Sequence, residues 1–151
     1  MADNISVKDA SAANVVLKTK DNAGTHTPRS SPVPEVDAGL SMNKTVSAAS
    51  TNATSVKTGA GKVYGIQAFN LNAAARYLKL YNKASAPTVG TDTPVKTLMI
   101  PGNAAGAGFV IAQDMGLEFA TGVAFGLTTG IGDADTGAVA ANEILVNIDY
   151  K

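Results

Sequence analysis

Cysteine and tryptophan are absent from this chain of 151 residues, and histidine occurs once. Without cysteine there is no disulfide framework and no thiolate metal site. That fits assembly in a reducing cytoplasm. Charge is also scarce: Asp, Glu, Lys and Arg make up 16% of the residues, and 12 basic side chains balance 12 acidic ones. No basic patch announces a nucleic-acid partner and no acidic tail appears. Long apolar runs are missing too. The longest uncharged stretch, residues 97–113, contains Pro101, Asn103 and several glycines, and it is shorter than the ~20 apolar residues of a spanning helix. The opening MADNISVKDA has neither a basic region nor an apolar core, so no targeting signal is expected. The expectation is a soluble protein with no membrane partner.

Chemistry is equally sparse. Nucleophilic hydrolysis needs a base held within reach of a hydroxyl, and the lone His26 lies in an extended proline-rich segment, a poor support for a preorganised group. Gly59-Ala60-Gly61-Lys62 resembles the end of a phosphate-binding loop, but Val56 and Val63 stand where that pattern needs glycine and Ser or Thr. No catalytic residue and no cofactor is assigned, and the protein is expected not to be an enzyme. Asp133 and Asp135 are two apart and precede Gly137. Calcium loops use such spacing, yet two carboxylates are too few for a cage of six to eight oxygens. They are candidate metal ligands, set against an ordinary Asp/Gly turn.

What is present is β structure. Residues 62–71 (KVYGIQAFNL) are apolar on both faces, as a central strand would be, and Gly65 inside them suggests a bulge or a close backbone approach. Residues 76–83 place Leu78 and Leu80 on one face and Tyr77, Lys79 and Tyr81 on the other. A loop framed by Pro87 and Pro94 follows, in which Asp92 is expected to cap its own turn. Residues 117–127 read as one strand with large odd and small even positions. Residues 143–150 alternate, with Ile144, Val146, Ile148 and Tyr150 on one face opposite Glu143, Asn147 and Asp149. Weaker strands are expected at 44–48, 53–57, 95–100 and 108–112. Short helices are candidates only at 72–76 and 136–142. About eight strands at ten-residue spacing predict an all-β antiparallel sandwich or jelly roll spanning residues 39–151. Residues 1–38 are expected to form a separate N-terminal unit, a short hairpin (Ile5, Val7 against residues 15–17) followed by an extended Pro-rich arm.

Tyr77, Lys79 and Tyr81 are the interaction candidates. Their rings cover the edge of the core or a subunit contact; the alternative is a carbohydrate-binding face. The small residues Gly122, Ala124 and Gly126 imply that another layer, the second sheet or a symmetry mate, approaches closely there.

Several segments together resemble a family of small structural proteins of tailed-bacteriophage particles: NISVKDASAANVVLKTKDNAGTHTP, GKVYGIQAFN, RYLKLYNKASAPTVGTDTPV, GLEFATGVAFGLTTG and DADTGAVAANEILVNIDYK. The resemblance covers most of the chain, and YLKLYNKASAPTVGTDTPV is its most specific part. It implies a non-enzymatic β-sandwich carried on the virion, assembled in the host cytoplasm, of the capsid decoration (cement) type. The implied partners are the major capsid protein or other virion subunits and further copies of the chain, with a homotrimer favoured. A tail, neck or baseplate component is the alternative. The family has no catalytic motif, so no active residue is carried over.

Overall fold

A computed structural model of the chain describes residues 39–151 in full and, of residues 1–38, the backbone of four short strands. The chain divides into two units at that boundary, residues 1–38 and 39–151. In the first unit, β1 (Ile5–Lys8) pairs antiparallel with β2 (Asn14–Leu17), Ile5 opposite Leu17 and Val7 opposite Val15, which is the hairpin expected. A second hairpin joins β3 (Thr19–Asn22) to β4 (Thr25–Pro28). Residues 25–28 are therefore a paired strand, not the start of an extended arm. Only two residues separate Asn22 from Thr25, a length suited to a tight hairpin connection. The rest of the expected arm, residues 29–38, lies outside the described residues.

The second unit contains eight strands: β5 (Ser41–Val46), β6 (Thr54–Lys57), β7 (Gly61–Asn70), β8 (Arg76–Asn82), β9 (Lys96–Ile100), β10 (Ala107–Phe119), β11 (Val123–Thr128) and β12 (Ile144–Tyr150). They form two four-stranded antiparallel sheets, β10-β7-β12-β5 and β6-β11-β8-β9. The pairs are nested: β8 with β9, β7 with β10, β6 with β11 and β5 with β12. One long hairpin, folded so that successive pairs fall in alternate sheets, generates this order. It is the jelly-roll arrangement.

Period-two alternation fills the space between the sheets. Val63, Ile66 and Ala68 of β7 and Ile144, Val146 and Ile148 of β12 meet Leu78 and Leu80 of β8 and Val123, Phe125 and Leu127 of β11, all essentially without solvent contact. Gly65 sits where β7 slips register against both neighbours, between Val63 and the following pairs. That matches the bulge its sequence position suggested.

Three expectations are corrected. Residues 117–127 are not one strand. β10 ends at Phe119 in the first sheet and β11 begins at Val123 in the second. The chain changes sheets through Gly122, where a Cβ would lie 2.7 Å from Ala84 Cα and from the carbonyl oxygens of Lys57 and Lys83. β10 is also longer than the 108–112 expected, because a bulge before Leu117, with Gly116 at φ +72°, carries the pairing onward. No helix forms at 72–76 or 136–142 among the described residues. At the first site Asn72 Oδ1 accepts from Ala74 N at 2.8 Å and Asn70 Nδ2 donates to Ala74 O at 2.9 Å. These side-chain bonds hold a turn where a helix would need the same backbone groups.

Candidate interaction surface

The two sheets differ in what covers their outer faces. On the β6-β11-β8-β9 sheet, the loop between β8 and β9 (residues 83–95) and the loop between β11 and β12 (residues 129–143) lie over the strands. Gly126 is glycine because a Cβ there would stand 2.7 Å from Val89 Cγ2 of the first loop. The two loops also meet each other, with Gly90 against Thr136 and Ala134. The close layer implied by Gly122, Ala124 and Gly126 is thus the chain's own loops, not the second sheet or a symmetry mate.

This cover decides the fate of the three sequence candidates. Tyr77 is half-buried. Lys79 and Tyr81 are 0% and 1% exposed, so these two side chains lie under cover and do not form an open face. Lys79 Nζ donates to the carbonyl oxygens of Gly132 at 2.6 Å and Asp135 at 3.3 Å. The Tyr81 hydroxyl is buried with no hydrogen-bond partner among the described residues. Burial foremost, then the neighbouring carboxylates of Asp92 and Asp133, push its pKa above the ordinary phenol value. The Tyr81 ring, sealed in this way, cannot stack on a sugar, while Tyr77 keeps part of its surface exposed.

The aspartate candidates separate in the same way. Asp133 is exposed. Asp135 Oδ1 accepts from Gly130 N at 3.1 Å and Gly137 N at 3.0 Å, which folds the turn. Two loop carbonyls already face the Lys79 ammonium, the position a cation would take. Among the described residues no group of three or more His, Cys, Asp or Glu side chains is placed to hold a metal. His26 falls in β4, and its side chain lies outside the described residues.

Asp92 does cap its own turn. It accepts from Lys83 Nζ at 2.5 Å and Thr88 N at 2.7 Å. The Lys83 bond first, and the Thr88 amide second, hold its pKa below the usual carboxylate value. A carboxylate with a depressed folded pKa stabilises above its unfolded pKa, and that contribution is lost as pH falls through the lower folded value. Acidification below about pH 4, the unperturbed Asp range, is therefore expected to loosen residues 83–95. Amide exchange in that loop measures this, and Asp92→Asn should abolish the pH dependence.

At one end of the sandwich, Ser47 Oγ donates to Ala140 O at 2.7 Å and accepts from the amides of Glu143 and Ile144 at 3.0 and 2.9 Å. The Arg76–Glu143 ion pair, Nε to Oε1 at 2.5 Å, is largely buried beside it. Sequence reading did not single out these residues. Their partners are up to 97 positions away, so no local pattern reveals them.

The outer face of β10-β7-β12-β5, by contrast, carries no loop in the described unit. Register lays its side chains out in rows. Gly108, Phe69, Leu145 and Val46 form the first row, Val110, Gln67, Asn147 and Lys44 the second, and Ala112, Gly65, Asp149 and Met42 the third. The first row is wholly apolar, and beside it Leu71 is 64% exposed. Phe69 and Val46 stand 43% and 49% exposed. Phe69 and Leu71 separate two shallow hollows, one of about 260 Å³ towards Val46 and Leu145 and one of about 450 Å³ towards residues 105–108. Charge in these rows is limited to Lys44 and Asp149. Contiguous exposed apolar stripes of this kind are the type of surface that interaction sites use. Residues 62–71 read as apolar on both faces in the sequence, which suggested only a central strand. β7 is central, and its outward Phe69 joins Leu145 and Val46 of the two strands beside it in the stripe.

No family model matches the chain, and no curated protein or solved structure shows significant similarity to it.

Proposed function

We propose that this chain is a non-enzymatic structural protein of a bacteriophage particle, a decoration (cement) subunit that attaches to the capsid surface and stabilises the head. The observation that carries the reading is the asymmetry of the sandwich. One sheet is covered over much of its outer face by its own loops, and the other presents an apolar row with almost no charge. Such a surface suits a body held in an assembly. The phage-like segments of the sequence support the same reading. A cement subunit binds many equivalent sites, so modest single contacts gain strength by avidity, and a stiff jelly roll loses little freedom on docking.

The test uses heads that lack the protein, incubated with the purified full-length chain and sedimented. Saturable binding at hundreds of copies per head is expected, with a raised temperature for head disruption. Saturation at a handful of copies would instead mark a tail, neck or baseplate fitting. No co-sedimentation would overturn the virion reading.

A further inference from the structure

We infer that the open edge of β5 receives an extended strand of a partner protein, one that carries an acidic residue opposite Lys44 and apolar residues two positions to either side. Such strand addition goes beyond the virion reading and does not depend on it. A sheet edge displays unpaired backbone groups, and folded proteins blunt the edges they do not use. The two sheets end in four edge strands, β10, β5, β6 and β9, and three of them are blunted. β6 has four residues, and its register against β11 skips Val56. β9 is framed by Pro94 and Pro101, which supply no N–H. β10 comes close to β9 of the other sheet and is bent by the bulge before Leu117. β5 differs. It pairs with β12 in unbroken register from Ser41 opposite Tyr150 to Val46 opposite Leu145, and it contains no proline, glycine or bulge. Which of its backbone groups are open follows from the ladder. Ser47 N donates to Ile144 O at 2.8 Å. Antiparallel ladders alternate, so Thr45, Asn43 and Ser41 turn their N–H and C=O groups to β12. Met42, Lys44 and Val46 turn theirs to the open edge, where no strand lies beside them among the described residues.

The side chains specify the guest. Met42, Lys44 and Val46 all point to the outer face, and Met42 and Val46 are 80% and 49% exposed. An added strand sets every second residue beside them. The guest residue opposite Val46 extends the row of Phe69, Leu145 and Val46, so an apolar side chain fits there. Lys44 is the one charged residue of β5 and is matched by a carboxylate opposite it. Met42 takes the second apolar neighbour. On the inner side, Thr45 Oγ1 donates to Asn43 Oδ1 at 3.1 Å, and both residues are half-buried. The intervening guest residues are therefore small and polar. Lys44 also works against a second copy in this place. Pairing β5 with itself about its centre sets Lys44 opposite Lys44 or opposite Met42, and neither register gives it a carboxylate.

The probe is a capped peptide of sequence Thr-Val-Thr-Glu-Thr-Val-Thr, titrated into the full-length, isotope-labelled chain and followed by nuclear magnetic resonance. Saturable shifts are expected at the amides of Met42, Lys44 and Val46. These three should exchange with solvent more slowly once the peptide binds, whereas Asn43 and Thr45 are protected from the start by β12. Replacing the central Glu of the peptide by Lys should weaken binding roughly tenfold, because an attraction across the strands becomes a repulsion. Lys44→Glu should reverse that preference, which a merely structural lysine would not do. Val46→Pro removes one N–H from the open edge and none from the β12 ladder. It should weaken binding roughly tenfold, the upper scale for one hydrogen bond, while circular dichroism keeps the β signature. No saturable shift up to millimolar peptide, or equal binding of the Glu and Lys peptides, would overturn the assignment. So would amides of Met42, Lys44 and Val46 already protected in the free chain, with protection that rises with protein concentration where a second copy holds the edge.

Discussion

Val146→Asp is expected to cost about 4–5 kcal/mol, at the upper end of single-substitution effects. Val146 has no solvent exposure, and its strand β12 runs between β7 and β5, with Ala68 and Thr45 as its direct neighbours. The substitution removes about 1.5–3 kcal/mol of apolar burial. It also places a carboxyl group among apolar side chains, where an uncompensated polar group costs a further 1–3 kcal/mol even when it protonates. Leu80→Asp acts on the opposite sheet by the same physics, since Leu80 is likewise fully buried, opposite Phe125. A domain of ordinary stability, about 5–15 kcal/mol, is left near its threshold by either change. Denaturant midpoints measure the loss. Asn147→Asp is the control: one residue further along β12, it points to the bare face, and its cost should stay within about 0.5 kcal/mol. If Val146→Asp and Asn147→Asp behaved alike, the strand phase assigned to β12 would be wrong.

That contrast also shows what the sequence could reveal. In β12 the inward set Ile144, Val146 and Ile148 was legible because alternation is a local property, and both neighbouring strands confirm it by register. The break between β10 and β11 was not legible. Phe119 and Val123 are both buried, and periodicity carries no information about which sheet a buried residue faces. The nested pairing of strands was beyond reach for the same reason, since β5 and β12 are about a hundred residues apart. For β8 the period correctly separated Leu78 and Leu80 from Tyr77, Lys79 and Tyr81, but it could not say that loops cover the second set. The available clue was the neighbouring strand. Gly122, Ala124 and Gly126 leave space that something must fill, and Val89 fills it above Gly126. The bare face posed the reverse problem. Phe69, Leu145 and Val46 belong to three strands and become a stripe only through register.

Lys79→Met tests the covering layer, with an expected loss of about 2–3 kcal/mol. Methionine keeps the volume and flexibility of the lysine stem, so packing beneath the loops is largely preserved and the ammonium is what is removed. Nζ is the donor to Gly132 O and Asp135 O, contacts that tie β8 to a loop more than fifty residues away. Hydrogen bonds from a charged donor are worth about 1.5–3 kcal/mol each, and the partly exposed loop carbonyls regain part of that from water. The offsetting gain is real: a buried ammonium is itself costly to desolvate, which is why the net loss is smaller than the sum of two such bonds. The loop should respond more than the core. Asp135 Oδ1 organises the turn through Gly130 N and Gly137 N. With the Asp135 carbonyl released, the amides of residues 129–137 should exchange faster while those of β7 and β12 keep their protection. An unchanged midpoint with unchanged loop exchange would mean that the ammonium does not hold the loop. Loss of protection across both sheets would mean that the loop layer belongs to the same cooperative unit as the jelly roll. The contrast between those two patterns is set by one fact of the fold, that a lysine on the outer face of its sheet is buried by loops folding over it.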